Sequence, residues 1–150
     1  MVQSEAPQRV SPKGIASAAR VSQIILDKYL DHQPLYRQSQ KMQREHVDIE
    51  RSTLADIVGN SSRLLTPLAE AISKHVKNAH HIHADDTTAP TLSPGKGRTQ
   101  TGRYWTYVRD GRPWDEGAPP AVWLQYSEDR KSIHPSAYLQ DFTGSMHAAA

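Results

Sequence analysis

The chain has no cysteine, and that absence excludes disulfides, thiolate zinc sites and a cysteine nucleophile together. It has little aromatic weight, with Phe142 the only phenylalanine among its 150 residues, and an apolar fraction of 37%. Such a lean composition limits the core it can build. It has no apolar run near the roughly 20 residues that a membrane-spanning helix needs. The N-terminal stretch MVQSEAPQRVSPKG lacks the apolar segment of a secretory signal, so a soluble, cytoplasmic chain is expected. Charge of one sign is also scarce. Eighteen basic residues stand against sixteen acidic ones, a formal net charge of +2. That balance permits nucleic-acid binding without requiring it, because local clustering matters more than the sum.

Residues 1–13 are polar, carry two prolines and show no period, and read as a flexible lead-in. From 14 to 78 the period is helical. Ile15, Ala18, Ala19, Ser22, Ile25, Leu26 and Tyr29 mark an amphipathic helix over 15–30. Pro34 interrupts it and suits the first turn of a second, more polar helix, LYRQSQKMQREH. A third stripe runs through Leu54, Ile57, Val58, Leu64, Leu65, Leu68, Ile72 and Val76. Gly59 and Pro67 predict either two segments or one kinked helix. Thr53 and Asp56 have capping-box spacing, with Ser52 as a rival cap. Helix, short turn through Val47–Glu50, and helix make a helix-turn-helix-like arrangement. Arg51, Ser52 and Arg63 are candidate phosphate contacts on it; a plain helical packing unit fits the same pattern.

After Asn78 the period moves towards 2. In HHIHADDTT, the residues His81, His83 and Asp85 share one strand face, and Ile82, Ala84 and Asp86 the other. A carboxylate on a half-buried strand needs a cation or donors, so Asp85 is either a metal ligand or a cap of the following turn. His75, His80, His81 and His83 lie close enough in sequence to raise a zinc site, without matching a tight ligand spacing. TLSPGKGRTQTG reads as a turn-rich connector, RYWTYVRD and AVWLQYS as strands, and Pro135 as the start of a short helix ending near Gly144. Lys96, Arg98 and Arg103, and Arg130 with Lys131, are basic residues on or beside loops that can lie along a phosphate backbone. The bland reading of each is a solvated turn. The whole is a mixed α+β chain, helices first and then β-β-β-α-β over 79–150.

Several stretches in one order, SPKGIAS, YLDHQPLYRQ, RSTLADIVG, HADDTT, GKGRTQTGRYWTYVRDGRP and PPAVWLQYSEDRKSIHPSAYLQDFTG, resemble the central region of transposases of the insertion-sequence sixty-six family. The resemblance implies an incomplete ribonuclease-H-like core of a DDE transposase. In that chemistry, DNA phosphoryl transfer relies on Mg²⁺ (or Mn²⁺) held by two Asp and one Glu. It places the first catalytic, metal-binding Asp at Asp85, in His83-Ala84-Asp85-Asp86-Thr87, with Asp86 where the family usually has Glu. It places the second Asp at the position of Ala149, and the third carboxylate outside this chain. It implies DNA, in the form of transposon ends, as partner, with a transposase oligomer. The expectation is therefore a truncated transposase without transposition activity. The alternative is a DNA-binding helical module that interferes with an intact transposase, and a third reading is a histidine-based metal-binding regulator.

Overall fold

A computed structural model describes residues 16–93, 95, 97–112 and 117–148. The lead-in 1–13, Lys96 and Ala149 lie outside the described residues. The chain divides into two compact units, Met1–Pro67 and Leu68–Ala150.

The first unit holds α1 (Ala18–Tyr29), α2 (Leu35–Arg44) and the first part of α3 (Arg51–Lys77). Ser17 caps α1, its hydroxyl accepting from the Arg20 N–H. Pro34 precedes α2, where its missing N–H costs nothing. Beyond α2, the Val47 N–H donates to the Met42 carbonyl and the His46 N–H to the Gln43 carbonyl. With His46 at φ 60 this is a Schellman ending, reached without the usual glycine. Val21, Ile24, Met42, Ile49, Leu54 and Ile57 form the core. Gln38 is buried in it, its side-chain amide donating to the carbonyls of Ile24 and Gln33 at 3.2 Å each. Ser39 donates to the Ile49 carbonyl at 2.7 Å and so holds the turn before α3.

Of the two alternatives, two segments or one helix, α3 is one helix of 27 residues with Pro67 inside it. The division into units falls at this proline. The helix begins at Arg51, two residues before the Thr53 cap that the spacing suggests. Its apolar stripe is only partly core. Leu54, Ile57 and Val76 are fully buried, whereas Leu64, Leu65, Leu68 and Ile72 are exposed.

The second unit contains the rest of α3, then β1 (His81–Ser93), β2 (Arg98–Arg109), β3 (Ala121–Ser127), α4 (Ile133–Tyr138) and β4 (Ser145–Ala148). The sheet order is β3-β2-β1-β4, with β1–β2 and β2–β3 antiparallel and β1–β4 parallel. The presumed connector at 91–102 is largely strand. Thr91–Ser93 end β1 and Arg98–Gly102 begin β2, paired residue for residue. The Pro and Gly cluster hides this in the sequence. β1 also tolerates Pro90, because β4 pairs it only as far as Ala84 and its outer edge is open beyond that point. α4 starts at Ile133, two residues before Pro135.

One face of the sheet is covered. Ile82 and Tyr107 are buried with Val76 and Ala79, and Ala84, Trp105, Trp123, Tyr138, Leu139 and Phe142 pack around them. Arg109, also buried, donates to the His75 carbonyl at 2.9 Å and closes the end of α3. A Cβ at Gly144 would lie 2.5 Å from the His80 carbonyl oxygen, which here accepts from the Ser145 N–H at 2.8 Å. Only glycine lets the chain turn into β4 so close to β1. Among the described residues no helix is long and apolar enough to cross a membrane.

Candidate functional site

The alternation over 81–86 holds in three dimensions, with an outcome that its two carboxylates do not share. Asp85 lies on the open face of β1 and is exposed. Its Oδ1 accepts from the Asp86 N–H at 2.8 Å, and no cation among the described residues reaches it. The expectation that Asp85 is the carboxylate in need of a partner is corrected here. The covered one is Asp86, whose side chain is 11% exposed. Arg103 Nη1 donates to its Oδ2 at 2.5 Å, and Arg130 Nη2 to its Oδ1 at 3.0 Å. Two guanidiniums on one carboxylate tie β1 to β2 and to the turn after β3.

The other basic candidates scatter. Lys131 sits 2.7 Å from Asp129, which His134 also reaches at 2.7 Å. The Lys131 ammonium and then His134 hold the Asp129 carboxyl far below the usual carboxylate range. Arg98 is exposed at the start of β2, on the open face. In the first unit, Arg63 donates to the Asn60 side chain. Arg51 and Ser52 line an open groove of about 880 Å³, together with Lys28, Tyr36, Gln40 and Gln43. Asp48 and Glu50 line it too, so its charge is mixed.

The histidines do not gather. His75 meets the Pro119 carbonyl at 2.9 Å, and His83 faces His147 of β4 with ring centroids 5.4 Å apart. Near His83, at the end of β2, the Arg112 guanidinium draws Asp110 down to about 2, with a small contribution from His83. Among the described residues no group of three or more His, Cys, Asp or Glu could hold a metal ion. Magnesium in a two-metal arrangement needs several oxygen donors. Asp85 is one, Asp86 is spent on arginines on the other face, and so the described residues do not make that site.

A family model described as "Transposase IS66 family" matches residues 13–149. The chain belongs to the IS66 transposase family. Relatives from Sinorhizobium fredii (strain NBRC 101917 / NGR234) include "Uncharacterized protein y4hP", 39% identical over 97% of this chain and 26% of its own length. "Uncharacterized protein y4qI" is 35% identical over 96% of this chain and 27% of its own length. The chain thus spans about a quarter of the curated relatives it matches. No solved structure matches it.

Sequence reasoning about this IS66 chain missed two residues on the Asp85 face, Tyr104 and Tyr126. They lie on strands that can be assigned from the sequence. Their place beside Asp85 depends on the β1–β2 and β2–β3 registers, which no local pattern encodes.

Proposed function

We propose that this IS66-family chain carries the opening part of a DDE-type, ribonuclease-H-like catalytic core, with Asp85 as its first metal-binding carboxylate. The observation that carries this reading is the placement of Asp85. It projects from the open face of the long central strand β1, and the parallel strand β4 pairs with β1 up to Ala84, one residue short of it. The order β3-β2-β1-β4, with an antiparallel meander and a helix before a parallel fourth strand, is the one such a core requires. The reaction class is DNA phosphoryl transfer, in which positioning and charge neutralisation lower the barrier. Mg²⁺ or Mn²⁺ supplies that neutralisation when several carboxylates converge. Because Asp85 is the one carboxylate that the described strands place on this face, this chain alone binds DNA without cleaving it. The test incubates the full chain and supercoiled plasmid with Mn²⁺ and scores nicks on a gel. No nicking above background is expected. Metal-dependent nicking that Asp85→Asn abolishes would sink the claim of inactivity while strengthening that of Asp85.

The second reading, a DNA-binding helical module over 14–78, rests on the groove beside Arg51, Ser52 and Lys28 between α2 and the start of α3. A helix-turn-helix would present this region to phosphates. Duplex binding that weakens steeply with salt, and that Arg51→Ala and Lys28→Ala reduce together, supports it. Binding indifferent to both substitutions removes it. Transposon ends as the DNA and a transposase oligomer as the working form belong to the same proposal.

A further inference from the structure

We propose that the open face of the sheet is a stacking platform for an unpaired DNA base next to Asp85, built from Tyr104 and Tyr126. The proposal rests on the reading that DNA is the partner.

The strand registers decide which side chains share this face. Asp85 stands opposite Thr106, and Thr87 opposite Tyr104, so Tyr104 is the diagonal neighbour of Asp85 on one face. Diagonal positions across an antiparallel pair are roughly 7–8 Å apart, about the reach from a base to its own phosphate. Tyr104 pairs in turn with Tyr126 of β3. Their rings meet edge to face, 62° apart with centroids at 5.7 Å.

Tyr126 is held in place by its surroundings. A Cβ at Gly102 would lie 2.5 Å from its hydroxyl oxygen and 2.6 Å from a ring carbon, so the ring lies across β2 where that strand has no side chain. The hydroxyl then donates to Thr91 Oγ1 of β1 at 3.1 Å. One tyrosine thus spans three strands while 40% of it stays exposed, and Tyr104 is 48% exposed. A fixed aromatic surface costs little ordering on binding, and every base has a face to stack on it. Sheets that bind single strands present aromatics on adjacent strands in this way.

The rest of the face favours a nucleotide over an apolar helix. Thr87, Thr106 and Gln100 are interspersed with the rings, and exposed Arg98 shares the face at the far end of β2. A covering apolar helix would strip water from these polar groups without returning partners. A DNA strand offers base edges to the threonines and a phosphate to Arg98, and the charge of Arg98 complements it. Val122 and Leu124 extend the platform towards the sheet edge.

The experiment measures anisotropy of a fluorescein-labelled 12-nucleotide oligo-dT and of a matching duplex with the full chain at low salt. The single strand should bind more tightly. Tyr104→Leu and Tyr126→Leu, which keep apolar volume but remove the ring, should each weaken single-strand binding roughly 5- to 100-fold, the range seen when one stacked base is lost. Tyr104→Phe should retain it, and circular dichroism should show the variants folded. If wild type binds DNA and both leucine variants bind equally well, the platform is wrong and the transposase reading stands. No binding of any DNA by wild type would overturn both. Self-association abolished by Leu124→Asp, with no effect of the tyrosines on DNA, would make the face a protein interface and overturn the platform.

Discussion

Asp85 and Asp86 are consecutive residues of one type on one strand, and the two faces of the sheet treat them in opposite ways. On the covered face, an acidic side chain is tolerated because two arginines meet it, one from the neighbouring strand and one from beyond β3. On the open face, the same side chain needs no partner, since water solvates it, and it stays available. Burial separates a structural carboxylate from an available one more sharply than residue type does. The hydrophobic residues divide the same way. Ile82 and Tyr107 are sealed on one side, while Val122, Leu124 and the two tyrosines are exposed on the other.

The contrast can be broken most forcefully through the core. Ile82→Ala empties a fully buried site and should cost about 3 to 4 kcal/mol in denaturant unfolding, against less than about 1 kcal/mol for Leu124→Ala. Equal costs would mean that the open face is covered in solution. Next comes alkaline pH. Burial, helped by Tyr138, pushes Tyr107 up to about 12, above the ordinary value of 10.0. Above pH 10 the unfolded chain releases this proton and the folded chain keeps it. Stability present below that pH is therefore lost as pH rises towards 12, by roughly 2 to 3 kcal/mol. Its hydroxyl has no partner among the described residues, so Tyr107→Phe should remove this alkaline loss without destabilising the fold at neutral pH. Smaller again is the pair itself. Asp86→Asn leaves Arg103 facing an uncharged amide on the covered side and should cost about 2 kcal/mol, while Asp85→Asn should change stability by less than about 0.5 kcal/mol. A reversal of that order would place the structural carboxylate at Asp85.

Much of this division was legible in the sequence. The alternation of Ile82 and Ala84 with His83 and Asp85 assigns faces without any knowledge of the fold, because a strand has a period of two. The same alternation says nothing of who meets Asp86, since Arg103 and Arg130 lie 17 and 44 residues away. The extent of β1 was hidden by Pro90 and the Pro–Gly cluster after it, signals that mark turns locally and that a long hairpin overrides. In α3, Pro67 and Gly59 suggested a break or a kink, and the helix continues through both as one element. Around Pro67 its residues from Ser62 to Leu68 are all exposed, so the leucines there follow a helical period without joining a core. Helical spacing identified the element and misjudged its burial.

The guanidinium of Arg109 links two elements in time as well as in space. By holding the His75 carbonyl, it makes the last turn of α3 and the end of β2 share one closing, partly buried contact. Fraying at either end breaks that contact. Amide protons near Asn78 and near Arg109 should therefore exchange through a common opening, at one rate set by that opening, instead of showing the independent fraying of a helix tip and a strand tip. The stretch just before His81 is then one of the slowest parts of the second unit to open, and the strand that carries Asp85 starts from a fixed point.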